Sequence, residues 1–229
     1  MNPSFSALAH LLQLASPALP VGAYSYSEGL ELLVHEAQIS DAPSLERWLS
    51  QELQWGAIRL EAVVVVRAYE ATADATVDKA SRLSYWNQWL SALRESEELR
   101  EQSWQMGRSL VRLLLELDPT LEPDLRACGE PCNFAIAFGI AAAHWKIDRQ
   151  SALVGYLYSW ASNLVNAGVR LVPLGQTAGQ KVLLNLYPAL EQAVVVALSL
   201  PDTALENCGW GLAIASMTHE VQYSRMFRS

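Results

Sequence analysis

One long stretch, RQSALVGYLYSWASNLVNAG at residues 149–168, decides the fold class. Large apolar side chains recur in it every three or four residues, the spacing that aligns side chains along one face of an α-helix. Its other faces are also mostly apolar, which is typical of a helix surrounded by other helices. We therefore predict a central, buried helix here. The positions that carry this pattern are Leu153, Leu157, Trp160 and Leu164 on one face, and Val154, Tyr158, Ala161 and Val165 on the others.

The same region contains the longest run without charged residues, residues 150–169. A run of this length is sufficient to cross a bilayer. Three serines and two asparagines interrupt it, so we predict a buried helix of a soluble protein and no membrane association. The first cation of the chain is Arg47, far beyond the apolar N-terminal segment, which argues against a secretory signal. The expected location is therefore the cytoplasm.

Helical periodicity extends outward in both directions. In residues 96–117 apolar side chains line one face and charged side chains another, as in an amphipathic helix. Two valine-rich runs, 63–66 and 194–196, favour β-structure but lie within longer helical patterns. The fold is predicted to be all-α, a single domain over residues 1–229 in one globular bundle of about nine or ten helices. The predicted helices are residues 5–15, 29–38, 44–69 with a possible break near Gly56, 77–93, 96–117, 133–145, 149–168, 176–185, 189–199 and 204–216.

Composition excludes several classes of protein. With 51% hydrophobic and 17% charged residues, the 229-residue chain is not intrinsically disordered. Its net charge of −8 and its lack of a basic run argue against nucleic-acid binding. Residues 1–131 hold 19 acids and 10 bases, whereas residues 132–229 hold only 5 acids and 6 bases. The sparsely charged second part supplies either core or surface that a partner covers, and both interpretations stay open.

Catalytic and metal-binding signatures are missing from the sequence. The segment GQTAGQKV at residues 175–182 resembles a phosphate-binding loop, but its glycine spacing is one residue short and no hydroxyl residue follows the lysine. We interpret it as a turn between two helices. Four histidines and three cysteines show no zinc-ligand spacing, so no metal and no cofactor is predicted, and Cys128, Cys132 and Cys208 are interpreted as ordinary thiols. The adjacent pair Glu97 and Glu98 is interpreted as a solvated helix start.

A first candidate contact segment is SPALPVGAYSYSEGLE at residues 16–31. Its prolines and glycine indicate an extended turn, and Ser25 with Glu28 has the spacing of a capping box at a helix start. Tyr24 and Tyr26 are not explained by such a turn. Their rings either pack inward or form a contact surface with free hydroxyl groups.

A second candidate segment follows the apolar helix and concentrates Arg170, Gln176, Gln180 and Lys181. It is either a solvated corner between helices or a contact surface with adaptable amide groups. The third candidate is the C-terminal tail, residues 217–229, which carries Tyr223, Arg225, Phe227 and Arg228. These residue types are enriched in interface cores, so the extended tail is expected either to order on a partner or to fold back near Tyr24.

Together these segments resemble the UreF family of urease accessory proteins. The similarity runs in family order through SPALPVGAYSYSEGLE (16–31), EELREQSWQMGRSL (97–110), FAIAFGIAAAHWKI (134–147), YLYSWASNLVNAGVRLVPLGQTAGQKVL (156–183) and HEVQYSRMFRS (219–229). The first, fourth and fifth segments are the most specific. Residues 70–95 and 185–215 carry little recognisable pattern.

This resemblance implies a non-catalytic, all-α urease maturation chaperone. Such a protein is expected to act as a homodimer in a complex with UreD/UreH and the GTPase UreG, which docks on the urease apoprotein and inserts nickel. The metallochaperone UreE is expected to supply that nickel. The lack of a complete phosphate-binding loop agrees with GTP being bound by a partner.

Carried onto this chain, the resemblance implies that ten side chains contribute to partner binding, with the tail ordering when UreD binds. It further implies a hydrogen bond from Arg225 to Tyr24 or the backbone of its turn. Two alternatives remain from the sequence: a helical enzyme using His144 or His219 with a carboxylate such as Glu220, and a helical adaptor unrelated to urease. The ten expected partner-binding residues are Tyr24, Tyr26, Arg170, Gln176, Gln180, Lys181, Tyr223, Arg225, Phe227 and Arg228.

Overall fold

A computed structural model describes residues 4–74, 78–207 and 209–228. Within these residues the chain forms twelve α-helices, three short 3-10 helices and no strand, which confirms the all-α prediction. The helices are α1 (Phe5–Leu14), α2 (Leu30–His35), α3 (Ala42–Trp55), α4 (Ala57–Ala73), α5 (Lys79–Leu93), α6 (Glu97–Leu117), α7 (Glu122–Ala127), α8 (Phe134–His144), α9 (Arg149–Leu171), α10 (Gln176–Asn185), α11 (Tyr187–Ser199) and α12 (Trp210–His219).

The helix count is slightly higher than predicted, for two reasons. The predicted break near Gly56 is confirmed, because the backbone of Gly56 is extended and separates α3 from α4. The short helix α7 is not among the predicted helices, because the three prolines of residues 118–131 interrupt the helical pattern there. Pro123 lies in the first turn of α7, where its missing N–H leaves no intrahelical bond unmade. A proline at this position starts a helix and does not end one.

The predicted helix boundaries agree with the structure to different degrees. The helix α10 has the predicted limits, and α9 continues three residues beyond the predicted end at Gly168. The last predicted helix, 204–216, is wrong at its start, because Asp202–Ala204 forms a 3-10 turn and α12 begins only at Trp210. The predicted start at residue 77 lies outside the described residues.

The centre of the bundle is formed by α4 and α8. The valines of α4 that favour β-structure, Val63 to Val66, are all buried, and burial from every side explains why they tolerate a helix. In α8, Phe138 is completely buried. The helix α9 packs against both of these helices, yet its Val154 is half exposed. The prediction that α9 is a central helix buried on all sides is therefore correct for only part of its surface.

Two of the three thiols lie in the described part of the chain. Cys128 and Cys132 are buried free thiols, and no group of three or more potential metal ligands occurs among those residues. No single helix there is long and apolar enough to cross a membrane. The pair α10 and α11 passes that test jointly, by length and composition alone, with a bend of 42° between the two helices. Cys208 lies outside the described residues.

Candidate functional site

The turn that precedes α2 presents one exposed aromatic side chain. A 3-10 helix, Ala23–Ser25, follows Gly22, whose φ of 79° is readily adopted only by glycine. The Ser25 hydroxyl donates a hydrogen bond to the Gly22 carbonyl at 2.8 Å and so closes the turn on itself. Tyr24 is 71% exposed. The turn therefore holds a tyrosine outward on a short, rigid loop.

The predicted capping box at Ser25 and Glu28 is wrong. Helix α2 begins only at Leu30, and the Glu28 carboxylate faces the interior, where it accepts hydrogen bonds from Gln102 Nε2 at 2.8 Å and Trp160 Nε1 at 2.9 Å. Burial raises the pKa of Glu28, and the nearby Glu61 carboxylate raises it further. These hydrogen bonds fasten the turn to α6 and α9.

Two consecutive left-handed residues redirect the chain into α2. Glu28 has a φ of 53° and Gly29 a φ of 79°. A Cβ atom at Gly29 would lie 3.2 Å from both the Cβ of Ala215 and the backbone nitrogen of Ser216. The turn therefore packs closely against α12, the helix that leads into the C-terminal tail.

The tail folds back along this turn. Glu31 accepts hydrogen bonds from the backbone N–H groups of Met226 at 2.6 Å and Phe227 at 2.9 Å. The N–H of Arg228 donates to the Ser25 carbonyl at 2.8 Å. The Phe227 side chain is only 4% exposed and belongs to the main hydrophobic core. Of the two alternatives left by the sequence, the structure shows the tail folded back near Tyr24. That a partner is needed to order it stays a prediction.

Three side chains, which we call the tail clamp, hold the tail in place: Glu31, Glu98 and His219. The imidazole of His219 is completely buried, with Nδ1 2.9 Å from Glu98 Oε2 and Nε2 3.3 Å from Glu31 Oε2. Glu98 also pairs with Arg225 of the tail at 2.6 Å. The tail clamp therefore joins α2, α6, α12 and the tail.

Arg170 connects the turn to the tail from the other side. Its Nη2 donates to the Tyr24 carbonyl at 2.8 Å, and its guanidinium lies 4.4 Å from the centre of the Phe227 ring. A cation at this distance from an aromatic face is stabilising. The expected hydrogen bond from Arg225 to this turn is thus wrong: Arg225 is held by Glu98, and Arg170 bonds to Tyr24 instead. Because Arg170 is distant in sequence from both the turn and the tail, no local pattern indicates this contact.

The predicted site residues separate into three groups. Tyr26 and Phe227 are buried, so their rings support the site from beneath and do not offer a contact surface. Arg170 and the backbone of Arg228 bond to the turn that carries Tyr24, whereas the side chain of Arg225 pairs with Glu98 on α6. The remaining four are exposed, and within the described ranges none of their side chains hydrogen-bonds to the turn or tail. These four are Gln176, Gln180, Lys181 and Tyr223.

The tail clamp has no signal in the sequence. The prediction of a solvated helix start is wrong for Glu98, because its side chain is 13% exposed and contacts both His219 and Arg225. Carboxylates are common in the first turn of a helix because they interact favourably with its N-terminus. The residue pattern therefore does not distinguish a solvated carboxylate from one that holds the tail. Each histidine of the enzyme alternative has a carboxylate partner, although not Glu220: His219 contacts Glu31 and Glu98, and His144 pairs with Asp124.

Comparisons with known proteins identify the family. The family model described as UreF matches residues 39–187. The chain is 60% identical over 220 residues to the urease accessory protein UreF of Nostoc sp. strain PCC 7120, covering 96% of this chain and 95% of that protein. It is 52% identical to the protein of the same name from Synechocystis sp. strain PCC 6803, covering 99% of each chain. The chain belongs to the UreF family of urease accessory proteins.

Proposed function

We propose that this chain is a non-catalytic scaffold of the urease maturation complex. It binds UreD/UreH and the GTPase UreG, docks with them on the urease apoprotein and thereby enables nickel insertion. The scaffold works in the cytoplasm as a homodimer within that complex. The named role of its relatives, urease accessory protein, supports assignment to urease maturation.

One observation carries the finer part of this proposal: Tyr24 projects into solvent from a turn that is fixed on several sides. Hydrogen bonds of Glu28, the backbone of Arg228 and the side chain of Arg170 all converge on that turn. A rigid exposed aromatic group loses little conformational entropy on binding and is a frequent interface anchor. We propose that UreG is recruited at this junction of turn and tail.

The contacts of the tail support a division of labour within the proposed complex. Folding of the tail attaches the backbone of Arg228 to the Ser25 carbonyl, next to Tyr24, and pairs Arg225 with Glu98, so any partner that stabilises the tail also completes the surface. In the proposed order of assembly, UreD/UreH binds first and stabilises the tail, and UreG then binds to the completed surface. GTP hydrolysis is performed by UreG.

Replacing Tyr24 with alanine is expected to abolish recruitment of UreG without affecting folding. The side chain is largely exposed, so its loss should change the free energy of unfolding by less than about 0.5 kcal/mol. If Tyr24 is an interface anchor, loss of its side chain should weaken the binding of UreG by at least about 2 kcal/mol. The measurement is pull-down of UreG by the assembled complex with UreD/UreH. Tyr85→Ala, which removes a tyrosine that is 57% exposed on α5, is the matched control. Undiminished recruitment by Tyr24→Ala would refute the assignment of this surface.

A further inference from the structure

A groove between α2, α3 and α12 is lined by none of the ten predicted partner-binding residues. It has a volume of about 690 Å³. Its walls include Trp48 and Trp55 from α3, Leu33 from α2 and Ile214 from α12. Trp55 is 57% exposed and Ile214 is 63% exposed. Exposed apolar side chains that line a groove of this size are typical of a binding site for another molecule.

The groove also contains a largely buried carboxylate, one oxygen of which has no hydrogen-bond partner among the described residues. Glu52 lines it and is 8% exposed, and its Oε2 has no hydrogen-bond partner. Within the described ranges no cation forms an ion pair with it. An unpaired buried carboxylate is destabilising, and proteins usually avoid one unless something else compensates for it.

The charges around Glu52 make its ionised form still less favourable. Burial, together with the nearby carboxylates of Glu28 and Glu95, raises the pKa of Glu52 to about 7. Of the other groups at the groove, Glu36 at the end of α2 is acidic and Arg47 on α3 is exposed at the rim. The buried cation Arg94 is already paired with Glu61 at 2.7 Å. The floor of the groove is therefore short of positive charge.

We propose that this groove binds an apolar segment of a partner protein whose lysine or arginine side chain pairs with Glu52 between the rings of Trp48 and Trp55. Both indoles offer faces that attract a cation, and the exposed apolar wall of α12 accommodates the flanking residues. A second copy of this chain bound symmetrically would present the same groove, equally short of positive charge, so the proposed homodimer is expected to form through another surface. The inference rests on the proposed function in that the partner is another component of the urease maturation complex.

The substitution Glu52→Gln provides the test, because it keeps the shape of the side chain and removes its charge. Affinity is measured between this chain and UreD/UreH, and between the resulting complex and UreG. For the protein that occupies the groove, Glu52→Gln should weaken binding by about tenfold or more. Glu116→Gln, at an exposed position near the end of α6, is the control and should bind as the unmodified chain does.

The pH dependence of binding distinguishes charge pairing from a change in shape. Only ionised Glu52 pairs with a cation, so the affinity of the unmodified chain should fall about tenfold per pH unit below 7 and level off above it. The affinity of Glu52→Gln should not change with pH in this way. Glu52→Gln is not expected to compromise folding. Because the pKa of Glu52 is higher in the folded state than in the unfolded state, the unmodified chain loses stability as the pH rises from about 4.5 to 7. The variant should therefore melt at a higher temperature at pH 8.

A photocrosslinker at position 55 identifies the occupant, with one at position 85 as the control. Crosslinking to a lysine- or arginine-containing apolar segment of a maturation partner supports the proposal. Crosslinking to a second copy of this chain, or unchanged affinity of Glu52→Gln for both partners, overturns it while leaving the proposed function intact. If the unmodified chain binds neither UreD/UreH nor UreG, the proposed function fails, and this assignment of the groove fails with it.

Discussion

Replacing Glu31 with glutamine is expected to release the C-terminal tail and abolish nickel loading of urease. The carboxylate accepts hydrogen bonds from two consecutive backbone N–H groups, those of Met226 and Phe227, and contacts His219. A carboxamide offers one acceptor oxygen, and its NH2 group would face an N–H donor. Hydrogen bonds to a charged group contribute about 1.5–3 kcal/mol each. Attachment of the tail should therefore weaken by about 2–4 kcal/mol.

Hydrogen exchange of the tail amides measures this release. In the unmodified chain the N–H groups of residues 226–228 are hydrogen-bonded and should be protected. In Glu31→Gln their exchange should accelerate by at least about tenfold. Glu191→Gln, at an exposed position on α11, should leave exchange unchanged. Equal protection in Glu31→Gln would show that the tail is held mainly by Phe227 and Arg170, and that the tail clamp contributes little.

Replacing Gly107 with alanine is expected to destabilise the fold more than any of the surface substitutions proposed above. A Cβ atom at this position would lie 1.9 Å from the carbonyl oxygen of Cys132, far inside van der Waals contact. The neighbouring Asn133 cannot retreat easily, since it bonds to Asn87 through its backbone N–H at 2.8 Å and receives a hydrogen bond from Ser103 at 2.8 Å. The methyl group must therefore force α6 away from the start of α8.

The expected cost of Gly107→Ala is at least about 3 kcal/mol of the free energy of unfolding, measured by urea denaturation. Gly211→Ala is the matched control, because nothing lies within 4 Å of the added methyl group on α12. There the substitution should stabilise the helix by up to about 1 kcal/mol. Near-normal stability of Gly107→Ala would mean that α6 and α8 pack less closely than described.

Periodicity in the sequence is sufficient to predict most of the helices, because helix-forming patterns are local. It predicts the helix at residues 176–185 with the correct limits, between Gly175 and Pro188. It does not place the start of α12 or any of α7, since both depend on how neighbouring elements pack. Prolines indicate where a helix cannot continue, but the same residue in a first turn permits a new helix to begin.

The sequence indicates which segments form the candidate site, but not which residues in them contact one another. The turn, the polar residues after α9 and the tail each stand out in the sequence, and the structure brings Tyr24, Arg170 and the tail together. The predicted pairing within the site is wrong, because Arg170 and Arg225 have the same chemistry and only the fold determines which carbonyl or carboxylate each reaches. Glu31 and His219 lie 188 residues apart, a separation at which no local pattern indicates contact.

The nickel content of urease measures most directly whether this chain supports maturation. Cells that express urease and the other accessory proteins, but lack this chain, should yield urease with little nickel and little activity at a fixed nickel supply. Restoring the unmodified chain should restore both, and restoring Glu31→Gln should not. Fully nickel-loaded, active urease in the absence of the chain would contradict its proposed role in maturation.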